Sequence, residues 1–247
     1  MRGSYQDWCV DTIAAIFRSR MNYLGDWRDQ GYIYVIKAII NHYASMYYCG
    51  AKSALMNNRS KEHVNLWWDH LNEANRKAFF SPLLMSTAAL RRAKGRTPAK
   101  ELKHYLHLEH ITPVGWIYNR LCKLCDEKCG NMTRADILDE FKYNRLVLLT
   151  KKQSKKFLDG AKQHFAAKDI HFLRTHFPVF ADKYDSELNQ LVDDKTHSKD
   201  SGFGLLRMAK LVNFGISFCY ADGRDCPPES WMDYFNKSMA LDQKGDR

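Results

Sequence analysis

No stretch of this chain approaches the run of about 18 apolar residues that a membrane-spanning helix needs. Met1 to Asp7 likewise hold no apolar signal core. A cytoplasmic protein with no membrane partner is therefore expected. The chain also lacks internal repeats and low-complexity tracts, so neither a repeat array nor a biased tail accounts for its length. Its seven cysteines are an odd number, and three of them, Cys122, Cys125 and Cys129, fall within one short stretch. That pattern suits reduced thiols better than a secreted disulfide framework.

What the chain does have is apolar and aromatic mass. A composition that is 45% hydrophobic and 13% aromatic offsets the ordering entropy that keeps aromatic-poor chains unfolded. At 247 residues it has the length for one large domain or two small ones with a substantial core.

The formal charge of +10 is unevenly spread. Residues 1–90 carry 10 basic and 7 acidic groups, residues 91–175 carry 19 and 9, and residues 176–247 carry 9 and 12. The middle third thus holds a surplus equal to that of the whole protein. Such a local basic field commonly marks a polyanion-binding surface, because neutralised phosphates release condensed counterions. A solvated Lys/Arg face is the plain alternative.

From Tyr5 to about Arg92 apolar residues recur at three- and four-residue spacings. Ile13, Ile16 and Phe17, then Ile33, Ile36, Ile39, Ile40 and Tyr43, each mark one face of a helix. Further helices are expected from Ser60 through Trp67, Trp68, Leu71 and Ala74, and from Ser81-Pro82 over Leu83 to Leu90. The aromatics here, among them Tyr43, Trp68, Phe79 and Phe80, read as core rather than as a base-stacking platform. His42, His63 and His70 are left out of the site.

"RRAKGRTPAK", Arg91–Lys100, is a basic break containing Gly and Pro and is the preferred boundary. Beyond it "YLHLEHI" and "NRLVLLT" have strand composition, and "KKQSKKFLDGAKQHFAA" reads as a helix. A 33-residue insertion between the strands holds the clustered cysteines and a helix from Thr133 to Phe141. Thr133 is its expected N-cap, with Asp136 three residues on. After a linker around Asp193 to Ser201, "GLLRMAKLVNFGISFCY" reads as mainly helical. The expected fold is α+β and predominantly α-helical. It divides into a helical region 1–92, a strand-strand-helix module 93–175 and a helical region 176–247.

Three pieces, "LEHITP" at Leu108–Pro113, "NRLVLLT" at Asn144–Thr150 and the basic helix that follows, resemble the ββα-metal, or His-Asn-His (HNH), nuclease module. The resemblance spans residues 107–160 and implies a metal-dependent endonuclease acting on DNA. Phosphodiester hydrolysis needs an activated water, a counter-charge and a stabilised leaving group. By resemblance His110 is the general base, since imidazole titrates near neutral pH. Glu109 is the ligand for Mg²⁺ or Mn²⁺, which carboxylates bind readily. Asn144 holds the loop that carries His110 and orients its ring. Arg145, Lys151, Lys152, Lys155 and Lys156 are expected to clamp backbone phosphates. No residue pattern reads out bases.

The helix position where the family places His or Asn falls here on Gln153 or Ser154, neither a strong ligand. The metal site is therefore expected to be completed by one of these, by His107 or His164, or by water. The departure keeps a second reading alive, a catalytically degraded HNH-like subunit that binds nucleic acid or takes part in assembly. A third is a helical protein whose basic middle binds an acidic partner. The general layout also resembles prokaryotic anti-phage effectors, some of which work beside an ATPase subunit.

Cys122, Cys125 and Cys129 supply three thiolates where structural Zn²⁺ wants four ligands. His104, His107 or His110, or Cys219 and Cys226 folding back, are candidates for the fourth. Three reduced thiols on a helix are the alternative.

Overall fold

Short runs of apolar residues form four strands among the described residues: β1 (Leu84–Ser86), β2 (Leu106–His110), β3 (Leu146–Thr150) and β4 (Phe218–Tyr220). In the computed structural model they join in one mixed sheet of order β2-β3-β1-β4. β2 runs antiparallel to β3, with Leu106 opposite Thr150 and His110 opposite Leu146. β1 is parallel to β3, and β4 antiparallel to β1. The structure describes residues 5–20, 31–49, 68, 71–81, 83–142, 144–158, 165–193 and 204–235.

The helices that cover this sheet are α1 (Tyr5–Arg20), α2 (Gly31–Cys49), α3 (Arg76–Phe80), α4 (Thr87–Lys94), α5 (Val114–Glu127) and α6 (Arg134–Phe141). They continue with α7 (Lys151–Phe157), α8 (Ala167–His176), α9 (Pro178–Lys183), α10 (Asp185–Asp193) and α11 (Gly204–Asn213). The architecture is thus α+β and mostly helical. Among the described residues no helix is long and apolar enough to cross a membrane.

Pleating sends successive strand side chains to opposite faces, and the sheet separates two cores by that rule. Leu84, Val147, Leu149 and Phe218 face one cluster, closed by α8 to α11 and by Trp231. Met85, Leu106, Leu108, Leu146, Leu148 and Cys219 face the other, closed by α4, Phe80 and Leu102. Burying one such aliphatic side chain is worth about 1.5–3 kcal/mol, so the strand register is firmly specified on both faces. A third core joins Ile13, Phe17, Ile36, Ile40 and Tyr43 to Ile117, Leu121, Ile137 and Phe141. The expected helical stripes of α1 and α2 are therefore the surface on which the insertion packs.

Expected details hold where the signal was local. Thr133 and Asp136 form a capping box at the start of α6. α7 follows β3 directly, with Thr150 and Gln153 forming a second capping box. The core placement of Tyr43, Trp68 and Phe80 also holds, all three being buried.

Strands from all three expected regions join in the one sheet. β1 comes from the expected N-terminal region and β4 from the C-terminal one, yet both belong to the sheet of the central module. Residues 92 and 93 lie inside α4, and 175 and 176 inside α8. The physical reason is length: strands of three residues show no period. For the same reason Leu84–Ser86 is strand where a helix was expected, and the helix starts at Thr87, with Ser86 Oγ accepting from the Ala89 amide at 3.1 Å. "GLLRMAKLVNFGISFCY" ends its helix at Asn213 and becomes β4. Gly215, at φ 78°, provides the left-handed residue after that helix. The helix expected over 60–74 lies mostly outside the described residues, as do His63, His70, His164 and the linker at 194–203.

Candidate active site

Because Glu109 and His110 are neighbours on β2, the pleat aims them at opposite faces. Glu109 turns towards α7 and α11, and His110 towards α2. Two linked clusters result rather than one convergent set of ligands.

The His110 cluster is built by α2. Asn41 Oδ1 lies 2.7 Å from His110 Nε2, and an amide oxygen can only accept, so Nε2 carries the proton. On the other side of the ring stands Asn144, where β3 begins. Its Nδ2 donates to the Ile40 carbonyl at 2.8 Å, so Asn144 is bound to α2 beside Asn41. His110 Nδ1 and Asn144 Oδ1 are both buried, and the Asn144 side chain bears on the ring in the sense that favours its protonated form. Burial pushes the His110 pKa down to about 4. Glu109 and the Asn144 amide pull the other way, while Arg207 and His107 add to the depression. The ring is thus neutral at pH 7, with Nδ1 as its acceptor.

The Glu109 cluster is more tightly tied. Arg207 Nη2 donates to Glu109 Oε1 at 2.7 Å. Ser154 Oγ donates to Oε2 at 3.0 Å, and His107 Nε2 lies 3.2 Å from the same oxygen. Glu109, Ser154 and Arg207 are all buried, and His107 is the exposed edge of the group. Burial opposes ionisation of Glu109, but His107, Arg207 and Ser154 outweigh it, and its carboxyl stays below the usual carboxylate range.

The other sequence candidates separate. Ser154 reaches Glu109; Gln153 does not. Gln153 Oε1 accepts from Ser86 Oγ at 2.8 Å and from the Thr150 amide and hydroxyl at 3.0 Å, which makes it a helix cap and sheet tie. Arg145, expected on a phosphate, is wholly buried. Its Nη1 donates to the Asn144 carbonyl at 3.2 Å and its guanidinium lies over the Tyr43 ring. An arginine enclosed in the core presents no face to a polyanion. Lys151, Lys152, Lys155 and Lys156 are exposed on the outer side of α7. Since Ser154 of α7 meets Glu109, these lysines flank the strand that carries the site.

Compared with protein-family models, with curated proteins and with solved structures, the chain matches none.

Among the described residues no three His, Cys, Asp or Glu side chains group so as to hold a metal ion. For the divalent cation implied by the resemblance, the donors present do not fit as arranged. Both Glu109 oxygens are engaged, and a guanidinium already faces the carboxylate. The cysteines likewise do not assemble with a fourth ligand. Cys125 is buried in the third core, Cys122 packs against it and Cys129 is exposed at the end of α5.

Two residues of the site were not found in the sequence, Asn41 and Arg207. Each leaves a trace there. Asn41 is a polar residue directly after Ile39 and Ile40 in the apolar stripe of α2, and Arg207 is a cation inside the apolar run "GLLRMAKLV". A buried cation needs a buried anion, but sequence does not say which.

Proposed function

We propose that this protein is an endonuclease that hydrolyses phosphodiester bonds of DNA, with His110 as the general base. One observation carries the reading: a neutral, half-buried imidazole held at Nε2 by Asn41, with its buried Nδ1 beside Asn144. The step proposed requires Nδ1, buried here beside Asn144, to be opened to a water molecule; it then takes a proton from that water as the water oxygen bonds to phosphorus. The bond from phosphorus to the leaving sugar oxygen breaks, that oxygen takes a proton from solvent, and the ring returns its own to solvent. Protonation of Nδ1 gives the ring a second donor, which the Asn144 Oδ1 oxygen is placed to receive. The order strand, strand, helix and the meeting of Ser154 with Glu109 support the resemblance to the ββα nucleases. The lysines of α7 supply the surface for the phosphate backbone.

The Glu109–Arg207 pair favours a second reading, a nucleic-acid-binding subunit that keeps the ββα element as a scaffold. Binding and turnover distinguish the two. An endonuclease converts supercoiled plasmid to nicked or linear forms and loses this in His110→Ala while still binding DNA. A scaffold binds DNA with a steep salt dependence and leaves the plasmid intact.

A further inference from the structure

The resemblance gives Glu109 to a divalent cation, whereas the structure gives it to Arg207. We propose that the Arg207 guanidinium is the resident cation of this site, and that Glu109 is its internal counter-ion rather than a metal ligand. The proposal rests on the nuclease reading only for its bearing on catalysis; the assignment of the carboxylate stands on geometry.

Both oxygens of the Glu109 carboxylate are already occupied. Oε1 receives Arg207 Nη2 at 2.7 Å, and Oε2 receives Ser154 Oγ at 3.0 Å and faces His107 Nε2 at 3.2 Å. A cation entering here must displace charge-assisted bonds, which are about twice as strong as neutral ones. It must also leave a buried guanidinium without its anion, the costly half of breaking a buried pair.

Arg207 projects from a helix whose residues Gly204 to Leu211 are all buried. The start of that helix is pressed on the chain just beyond β2. A side chain at Gly204 would come within 2.5 Å of Thr112 Oγ1 and 3.1 Å of Ile111. A larger residue there would force Thr112 and Ile111, just beyond β2, to shift. Arg207 is therefore built into the site, not swung onto it from a loop.

Lys210, one turn beyond Arg207, is also buried. Burial lowers its pKa, and Asp169 only partly offsets that. Arg207 itself is a cation bonded to Glu109, so a dication added there meets like charge at once.

The test uses the full chain and Mn²⁺ alone, read by paramagnetic broadening of the His107 and His110 ring resonances. Wild-type protein is expected to keep sharp resonances for both rings with Mn²⁺ at one equivalent. Arg207→Met, which releases Oε1, is expected to gain the broadening, and Arg207→Lys, which keeps the charge, to stay sharp. Broadening of both rings in the wild type would overturn the proposal. So would an Arg207→Met protein that folds and remains sharp. Should Arg207→Met not fold, the wild-type and Arg207→Lys spectra still decide, since a metal-ligating Glu109 predicts broadening in the wild type. Plasmid cleavage is scored separately, with Mn²⁺ and in EDTA. Sharp wild-type rings without any cleavage uphold the guanidinium assignment and remove the nuclease reading. Cleavage with both rings broadened does the reverse.

Discussion

Ser154 Oγ donates to Glu109 Oε2 over 3.0 Å, across 45 residues of sequence. That bond fastens α7 to β2 at the point where the strand carries Glu109 and His110. Removing it with Ser154→Ala leaves a buried carboxylate oxygen one donor short. The expected loss is about 1.5–3 kcal/mol of stability, the range for hydrogen bonds to charged groups, read from urea unfolding midpoints.

The Glu109–Arg207 pair behaves as a buried ion pair. Arg207→Met alone is expected to destabilise by about 3–5 kcal/mol, because it strands a buried carboxylate. Replacing both partners, as in Glu109→Leu with Arg207→Met, is expected to recover most of that loss. A double-mutant cycle measures the coupling; additive single effects would contradict a direct pair.

Acid should weaken the fold in a definite window. The His110 pKa falls from 6.5 in the unfolded chain to about 4 in the folded one, so between those values the unfolded chain binds the extra proton. Stability is therefore complete above about pH 6.5 and declines as pH falls towards about 4. Glu109, whose folded pKa is also lowered, adds its loss further down, as pH drops through that folded value. Unfolding curves across this range should flatten in His110→Leu, and an unchanged acid slope would count against the neutral ring.

The lysines on α7 make a prediction about salt. Each that neutralises a phosphate contributes about 0.9 to the slope of log affinity against log salt. Replacing Lys151, Lys152, Lys155 and Lys156 by alanine should weaken DNA binding and flatten that slope. Arg145→Met should instead lower stability without changing the slope, since Arg145 is enclosed.

How much of this was legible in the sequence depends on the range of the signal. The cap of α6, the stripes of α1 and α2 and both long strands are local patterns, and the chain adopts them, whereas Gln153, expected at the metal, caps α7. Strands β1 and β4 are too short for a period and are fixed by pairing with partners far along the chain. The resemblance gave Asn144 the task of holding the loop that carries His110 and orienting its ring, but the Asn144 amide donates to the Ile40 carbonyl and the hydrogen bond at Nε2 is with Asn41. Arg145 was misplaced because a cation next to a strand looks the same in sequence whether it faces water or Tyr43. Arg207 was missed because its anion lies 98 residues away.

Whether His110 is a general base on a DNA-cleaving site is decided by following supercoiled plasmid with wild type and His110→Ala at equal concentration, with DNA binding checked alongside. Cleavage is expected from the wild type, and none from a variant that is folded and still binds. Equal cleavage by the variant, or DNA binding by the wild type with no cleavage, would contradict that role.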